Sequence, residues 1–213
     1  MNSTNNPNYR RGFVLISALI SLSLAGCTHT IRPPKEAFTA YAGGEKIHLK
    51  VGLNITDALL QVKHERHYMG DTWVIPIGPS LAMNAKVLAR HTFDEVVDMR
   101  NGQVPPNETV AAILTPTVAS LNRTVGATSF GQSIIDIKVE WVLKDSKGND
   151  IWGDTIDGQS SGSTGWTNPK KVLKKALEDL LAKSQQAISS APSIRRFAQK
   201  HPPLSPTTTS PGS

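Results

Sequence analysis

Between Ser133 and Leu143 every second residue is large and apolar: Ile135, Ile137, Val139, Trp141 and Leu143, with Asp136, Lys138 and Glu140 in the gaps. A period of two sustained over that length describes a strand with one dry face and one wet face. Asp145-Ser146-Lys147-Gly148-Asn149 follows, turn chemistry with a glycine available for positive φ. Ile151 to Gly158, led by Ile151 and Trp152, then predicts the return strand of a hairpin. An apolar sheet face has to be buried under a second layer. The rest of the chain must therefore supply a cover.

Two segments have the spacing for it. Gly78-Pro79-Ser80 opens a helix, because proline suits a first turn that does not need its N–H. Leu81, Ala85, Leu88, Phe93, Val96 and Val97 recur near a period of 3.6, which predicts a helix ending near Met99, before the turn Asn101-Gly102. Asn168-Pro169 caps a second helix with the stripe Leu173, Ala176, Leu177, Leu180, Leu181 and Ile188. Further strands are expected over Lys46 to Ile55, Trp73 to Ile77 and Val110 to Leu121. In the last of these Pro116 removes a ladder donor, so the strand should lie at an edge or carry a bulge. Thr56 to Met69 reads equally as a short helix capped by Thr56 or as an edge strand. This order predicts an α+β fold, a two-layer sandwich with a mostly antiparallel sheet and both helices on one face. The chain shows no internal repeat.

Upstream of this domain the residues have another job. Phe13 to Leu24 is an apolar run behind Arg10-Arg11, too short to span a bilayer, which needs about 18 residues. A basic lead, an apolar stretch and a small-residue cleavage point make an export signal. It ends at Leu24-Ala25-Gly26-Cys27, and Cys27 is the only cysteine of 213 residues. The quartet resembles the lipobox of bacterial lipoproteins. That resemblance implies cleavage before Cys27, diacylglycerol on its thiol and an acyl chain on its new amino group. Thr28, rather than aspartate, follows the cysteine, which by the same resemblance favours the periplasmic face of the outer membrane.

Composition fills in the remainder. The expected division is a signal peptide over 1–26, a lipidated tether over 27–44 with its paired prolines and glycines, a periplasmic domain over 45–197, and a disordered tail over 198–213 rich in proline, serine and threonine. After cleavage 21 basic residues face 17 acidic ones, a mild bias toward anionic neighbours such as lipid or glycan. With its thiol acylated the domain has no disulfide and no cysteine-ligated metal.

Candidate chemistry is sparse. His64 and His67 would share a helical face, but the H-E-x-x-H pattern is absent and Arg66 repels a cation, so no metal is expected. Asp94 with Glu95, and Asp154 with Asp157, are carboxylate pairs without a pocket to separate their pKa values. Ser160, Ser161 and Ser163 lie in an expected mobile loop, Gln159 to Gly165, without a nucleophile elbow. The candidate binding residues are Lys170, Lys171, Lys174 and Lys175, crowded on the first two turns of the second helix, together with Trp166 just before them.

The spacing of Gly78 to Val97, with Phe93-Asp94-Glu95-Val96, and of Trp141 through Gly148 to Ile151-Trp152 resembles small envelope lipoproteins over roughly residues 46–190. Among these are the lipopolysaccharide-assembly lipoprotein type and relatives of the curli-secretion lipoprotein and the TolB N-terminal domain. No functional residue carries over from that likeness. The expectation is a non-enzymatic, lipid-anchored binding or assembly factor without a cofactor. Its partners would be the membrane and an envelope protein, with an anionic lipid or glycan as the alternative and no nucleic acid.

Overall fold

The computed structural model describes residues 27–33, 45–68, 71–125, 132–163 and 168–201. The fold is α+β. Strand β1 is Thr28–Thr30, β2 Ile47–Ile55, β3 His64–Tyr68, β4 Asp71–Ile75, β5 Phe93–Arg100, β6 Ala112–Val125, β7 Gln132–Asp145 and β8 Asp150–Ser163. Helix α1 is Asp57–Leu60, α2 Ile77–Thr92, α3 Pro169–Ser190 and α4 Pro192–Lys200. The strands form a five-stranded sheet in the order β5-β2-β6-β7-β8 and a small sheet in the order β1-β4-β3.

The hairpin β7–β8 forms as its residues dictate. Ile135, Ile137, Val139, Trp141 and Leu143 are fully buried, each contributing about 2 kcal/mol of apolar burial. In the turn, the Asp145 carboxylate accepts the backbone N–H groups of Lys147 and Asn149, both at 2.8 Å, and Gly148 takes φ +88°. Helix α3 lays Leu173, Ala176, Leu177, Leu180, Leu181 and Ile188 against β7 and β8. Helix α2 adds Leu81, Ala85 and Leu88 to the same core, which also takes in Leu49, Val51 and Leu53 of β2. Pairing across the large sheet is antiparallel through β6–β7–β8 and parallel at β2–β5 and β2–β6.

At Gly158 the backbone of β8 touches the helix above it. A Cβ built there would lie 2.4 Å from the Ala176 carbonyl oxygen and 2.4 Å from the Leu180 Cβ. Only a residue without a side chain lets α3 settle this close.

Several expectations are corrected. The first long helix ends at Thr92, not near Met99, and Phe93 to Val97 belong to β5. Phe93 and Met99 are buried, and β5 pairs in parallel with β2. Phe93, Val96 and Val97 have the i, i+3, i+4 spacing of a helix, whereas only Phe93, Val97 and Met99 alternate as a strand does, and pairing along the whole of β2 decides the matter. Strand β6 is interior only over Ala112 to Leu114, between β2 and β7; from Thr115 on it pairs with β7 alone, so Pro116 lies on an edge stretch as expected. Pro116 sits two residues past the last β2 pairing, so its missing donor falls where the strand has one neighbour, and the bulge comes between Val118 and Ser120. Thr56 to Met69 holds both alternatives in succession. Thr56 Oγ1 caps α1 by accepting the Leu59 N–H at 3.1 Å, and β3 follows. Gln159 to Ser163 continue strand β8 instead of forming a loop. Ala198 is buried in α4, so order extends past the expected start of the tail; residues 202–213 lie outside the described residues.

Where β2 meets β5, His48 Nδ1 lies 2.5 Å from Asp94 Oδ2. The hydrogen bond and the charge of Asp94 raise the His48 pKa above its ordinary 6.5. A raised histidine pKa stabilises the fold below about pH 6.5, and the gain is lost as pH rises through the folded value. By proton NMR, the His48 titration should have a midpoint above 6.5, and Asp94→Asn should return it to about 6.5.

Candidate functional site

Cys27 does not open a free tether. Its backbone N–H donates to Asp71 Oδ1 at 3.1 Å, and its carbonyl accepts the Thr72 N–H at 2.9 Å. Thr28, His29 and Thr30 then pair in parallel with Thr72, Trp73 and Val74 of β4. Ile31 N–H bonds the Val74 carbonyl at 2.8 Å, and the Ile31 side chain joins the main core. The expected tether over 27–44 thus begins as a docked strand, because Thr28 to Thr30 pair with β4 and Ile31 is buried in the core. The exposed Cys27 thiol leaves directly from the folded body. Leu24, Ala25 and Gly26 lie outside the described residues.

One row of the small sheet runs His29–Trp73–Arg66, since His29 and Arg66 are both register partners of Trp73. Opposed residues in a sheet share a face, so these three side chains stand together. The His29 ring stacks on Trp73 with centroids 4.6 Å apart, and the Arg123 guanidinium lies 5.5 Å from the Trp73 ring centre. Arg66 Nη1 donates to the Arg123 carbonyl at 3.0 Å, fastening β3 to the far half of β6. An open concavity of about 610 Å³ lies here, with His64, Arg66, Arg123, Asp136 and Lys138 among its lining residues. Burial, then the charges of Arg66 and Arg123, hold His64 below its ordinary pKa of 6.5, so it is neutral at pH 7.

Sequence reasoning noticed Arg66 only as a residue that repels metal, and it missed Arg123, Trp73, His29 and Asp71. These five come from β1, β3, β4 and β6, and only cross-strand pairing between distant segments brings them together. The spacing of chemical types along the chain contains no sign of it.

Lys170, Lys171, Lys174 and Lys175 are all exposed on α3. Asn168 Oδ1 caps the helix by accepting the Lys170 N–H at 2.9 Å, and Lys174 pairs with Glu178 at 3.4 Å. Trp166 lies outside the described residues. Contact of Gly158 with Ala176 and Leu180 shows that α3 runs back along β8. The lysines therefore stand at the end of the sheet where β8 finishes. That is also the end of the row Arg123–Ile135–Ser160 across β6, β7 and β8. The lysine cluster, the two arginines and Cys27 consequently share one end of the molecule.

The other candidates separate. His64 and His67 lie on a strand, not a helix, and an odd spacing puts them on opposite faces; His67 Nδ1 meets Thr72 Oγ1 at 2.9 Å. Among the described residues no cluster of three metal-ligating side chains occurs. Asp94 and Glu95, adjacent in β5, are engaged separately, by His48 and by Lys50 of β2. Asp154 and Asp157 are exposed on opposite faces of β8, the second 3.8 Å from Lys183. Ser160 and Ser161 likewise alternate across β8.

No family model matches the chain, and no curated protein matches it. Solved structures do resemble it. A Xanthomonas campestris protein of the DUF330 family aligns with TM-score 0.47 and 11% identity over 80% of this chain and 97% of that one. A minor lipoprotein from Acinetobacter baumannii aligns with TM-score 0.44 and 13% identity over 68% of this chain and 94% of that one. The PelC dodecamer from Paraburkholderia phytofirmans aligns with TM-score 0.37 and 18% identity over 70% and 93%. At these values the likenesses assign no function. No helix of the described residues is long and apolar enough to cross a membrane.

Proposed function

We propose that this chain is a lipid-anchored, non-enzymatic binding or assembly factor of the bacterial envelope, held at the periplasmic face of the outer membrane. The observation that carries the reading is the placement of Cys27. The residue that the leader marks for acylation immediately precedes a strand docked on the fold, at the same end as the basic side chains. Acylation there confines the domain to a surface and raises its effective concentration for partners in the same membrane. Among the described residues, surfaces offered to a protein partner are the lysine face of α3 and the sheet edge β5; on the other edge, β8, the backbone of Asp157 and Gln159 is already bonded by Lys183 and Asp179 of α3. A partner strand would add to such an edge through backbone hydrogen bonds.

The second reading, a binder of an anionic envelope molecule, is favoured by the concavity beside Arg66 and Arg123. In-cell crosslinking from the α3 lysine face separates the two readings. A stoichiometric protein adduct supports the first, and co-purifying lipid or glycan without protein supports the second. Lys170→Glu with Lys174→Glu should lower the adduct yield roughly ten-fold at low ionic strength. Thermal unfolding should change by no more than about 0.5 kcal/mol, because only the exposed Lys174–Glu178 pair is lost. An unaltered yield would leave the lysines as a solvated helix face.

A further inference from the structure

Arg66 and Arg123 are two half-buried guanidiniums drawn together by fold rather than by sequence, and neither forms an ion pair among the described residues. Arg123 Nε and His64 Nε2 are buried with no hydrogen-bond partner among the described residues. Burial and then the charge of Arg66 both disfavour the charged form of Arg123, an arrangement that an anion between the two would relieve. The concavity they line also holds Lys138 and one carboxylate, Asp136, whose buried Oδ1 is likewise unpartnered among the described residues. Arg123 is in register with Ile135, so Asp136 and Lys138 alternate to the other face of β7, where Lys138 stands opposite Asp157 and Asp136 lies in the field of Lys183; the uncompensated charges are those of the two guanidiniums. Guanidinium groups present planar forks of N–H donors that match phosphate oxygens.

Position selects the source of that phosphate. Arg66 lies two strands across from His29, and His29 lies two residues along from Cys27. At about 4.8 Å between strands and 3.3 Å per residue, the Arg66 backbone is within roughly 12 Å of the anchored residue, and Arg123 adjoins it through the bond from Arg66 to its carbonyl. The acyl chains would pin Cys27 at the bilayer interface, whose headgroup layer is itself roughly 5–7 Å deep. We infer that the Arg66–Arg123 concavity binds the phosphate of an anionic phospholipid headgroup in the leaflet that holds the Cys27 anchor. The inference rests on the proposed acylation of Cys27. His29 and Trp73 complete the site as aromatic rings at the level of the interface, the depth such rings favour.

The test uses the processed full-length chain in phosphatidylcholine vesicles with and without phosphatidylglycerol, read by amide hydrogen exchange. Phosphatidylglycerol should slow exchange over residues 64–67 and 121–124 by about five-fold or more, the effect of one basic residue near an anionic surface. Arg66→Gln with Arg123→Gln should abolish the slowing while the β7 core amides exchange as before, and the paired Lys variants should restore part of it. Equal exchange in the two vesicles, or slowing that survives the Gln variant, overturns the site. Equal slowing by millimolar inorganic phosphate in phosphatidylcholine alone overturns the lipid as its source. Intact mass of the same sample separates the two levels. A bare Cys27 thiol removes the anchor and this site together, whereas an acylated chain indifferent to phosphatidylglycerol removes only the site.

Discussion

Cys27→Ser should leave the chain as an uncleaved or soluble precursor, with essentially all of the acylated membrane species lost. Serine offers an oxygen of similar size and hydrogen-bonding habit, so β1 can still pair with β4 and the domain should unfold at an unchanged temperature. What disappears is the sulfur that receives the lipid. Each buried CH₂ of an acyl chain contributes about 0.8 kcal/mol and a single chain holds only marginally, whereas two or three hold firmly. The effect on partition should therefore be nearly all or none. Fractionation with intact-mass analysis checks it, and a mutant with wild-type mass and wild-type detergent extraction would refute the anchor.

Gly158→Val should be the most destabilising of the glycine substitutions on β8. The new Cβ would press on the Ala176 carbonyl and the Leu180 side chain at distances that real atoms do not occupy. Either α3 lifts from the sheet or β8 shifts in register, and overpacking of this kind costs about 3 kcal/mol. For a domain of this size that lowers the unfolding midpoint by roughly 6–12 °C. Gly153→Ala is the control, because its Cβ would meet nothing closer than 3.7 Å and a strand alanine loses less entropy than glycine. Calorimetry of the two variants should separate them clearly. Equal midpoints would mean that α3 does not pack on β8 as described.

The hairpin β7–β8 and the stripes of α2 and α3 were legible because their periodicity is long and unbroken. The end of α2 was not, since Phe93, Val96 and Val97 extend its helical stripe at i, i+3 and i+4, and the deciding contact is with β2, more than forty residues upstream. Parallel pairing leaves no mark in an alternation pattern, so the place of β6 beside β2 was hidden too. Thr28 to Thr30 are three exposed polar residues; no period can be read in so short a segment, and only the free flank of β4 makes them a strand. The expected anchor, Cys27, is read from the leader alone, whose residues lie outside those described. The arginines were not legible, because Arg66 and Arg123 are 57 residues apart and meet through a backbone carbonyl.

The β1–β4 ladder has a mechanical side. A pull delivered through the lipid would load Cys27 first, and three residue pairs and the buried Ile31 stand between that load and the rest of the fold. Such a short seam should part while the hairpin and its helices stay intact. Once parted, the twenty residue steps from Cys27 to Ile47 bound the reach at roughly 65–70 Å. The seam is a fuse between two reaches, one flush with the bilayer and one long enough to carry the domain well clear of it.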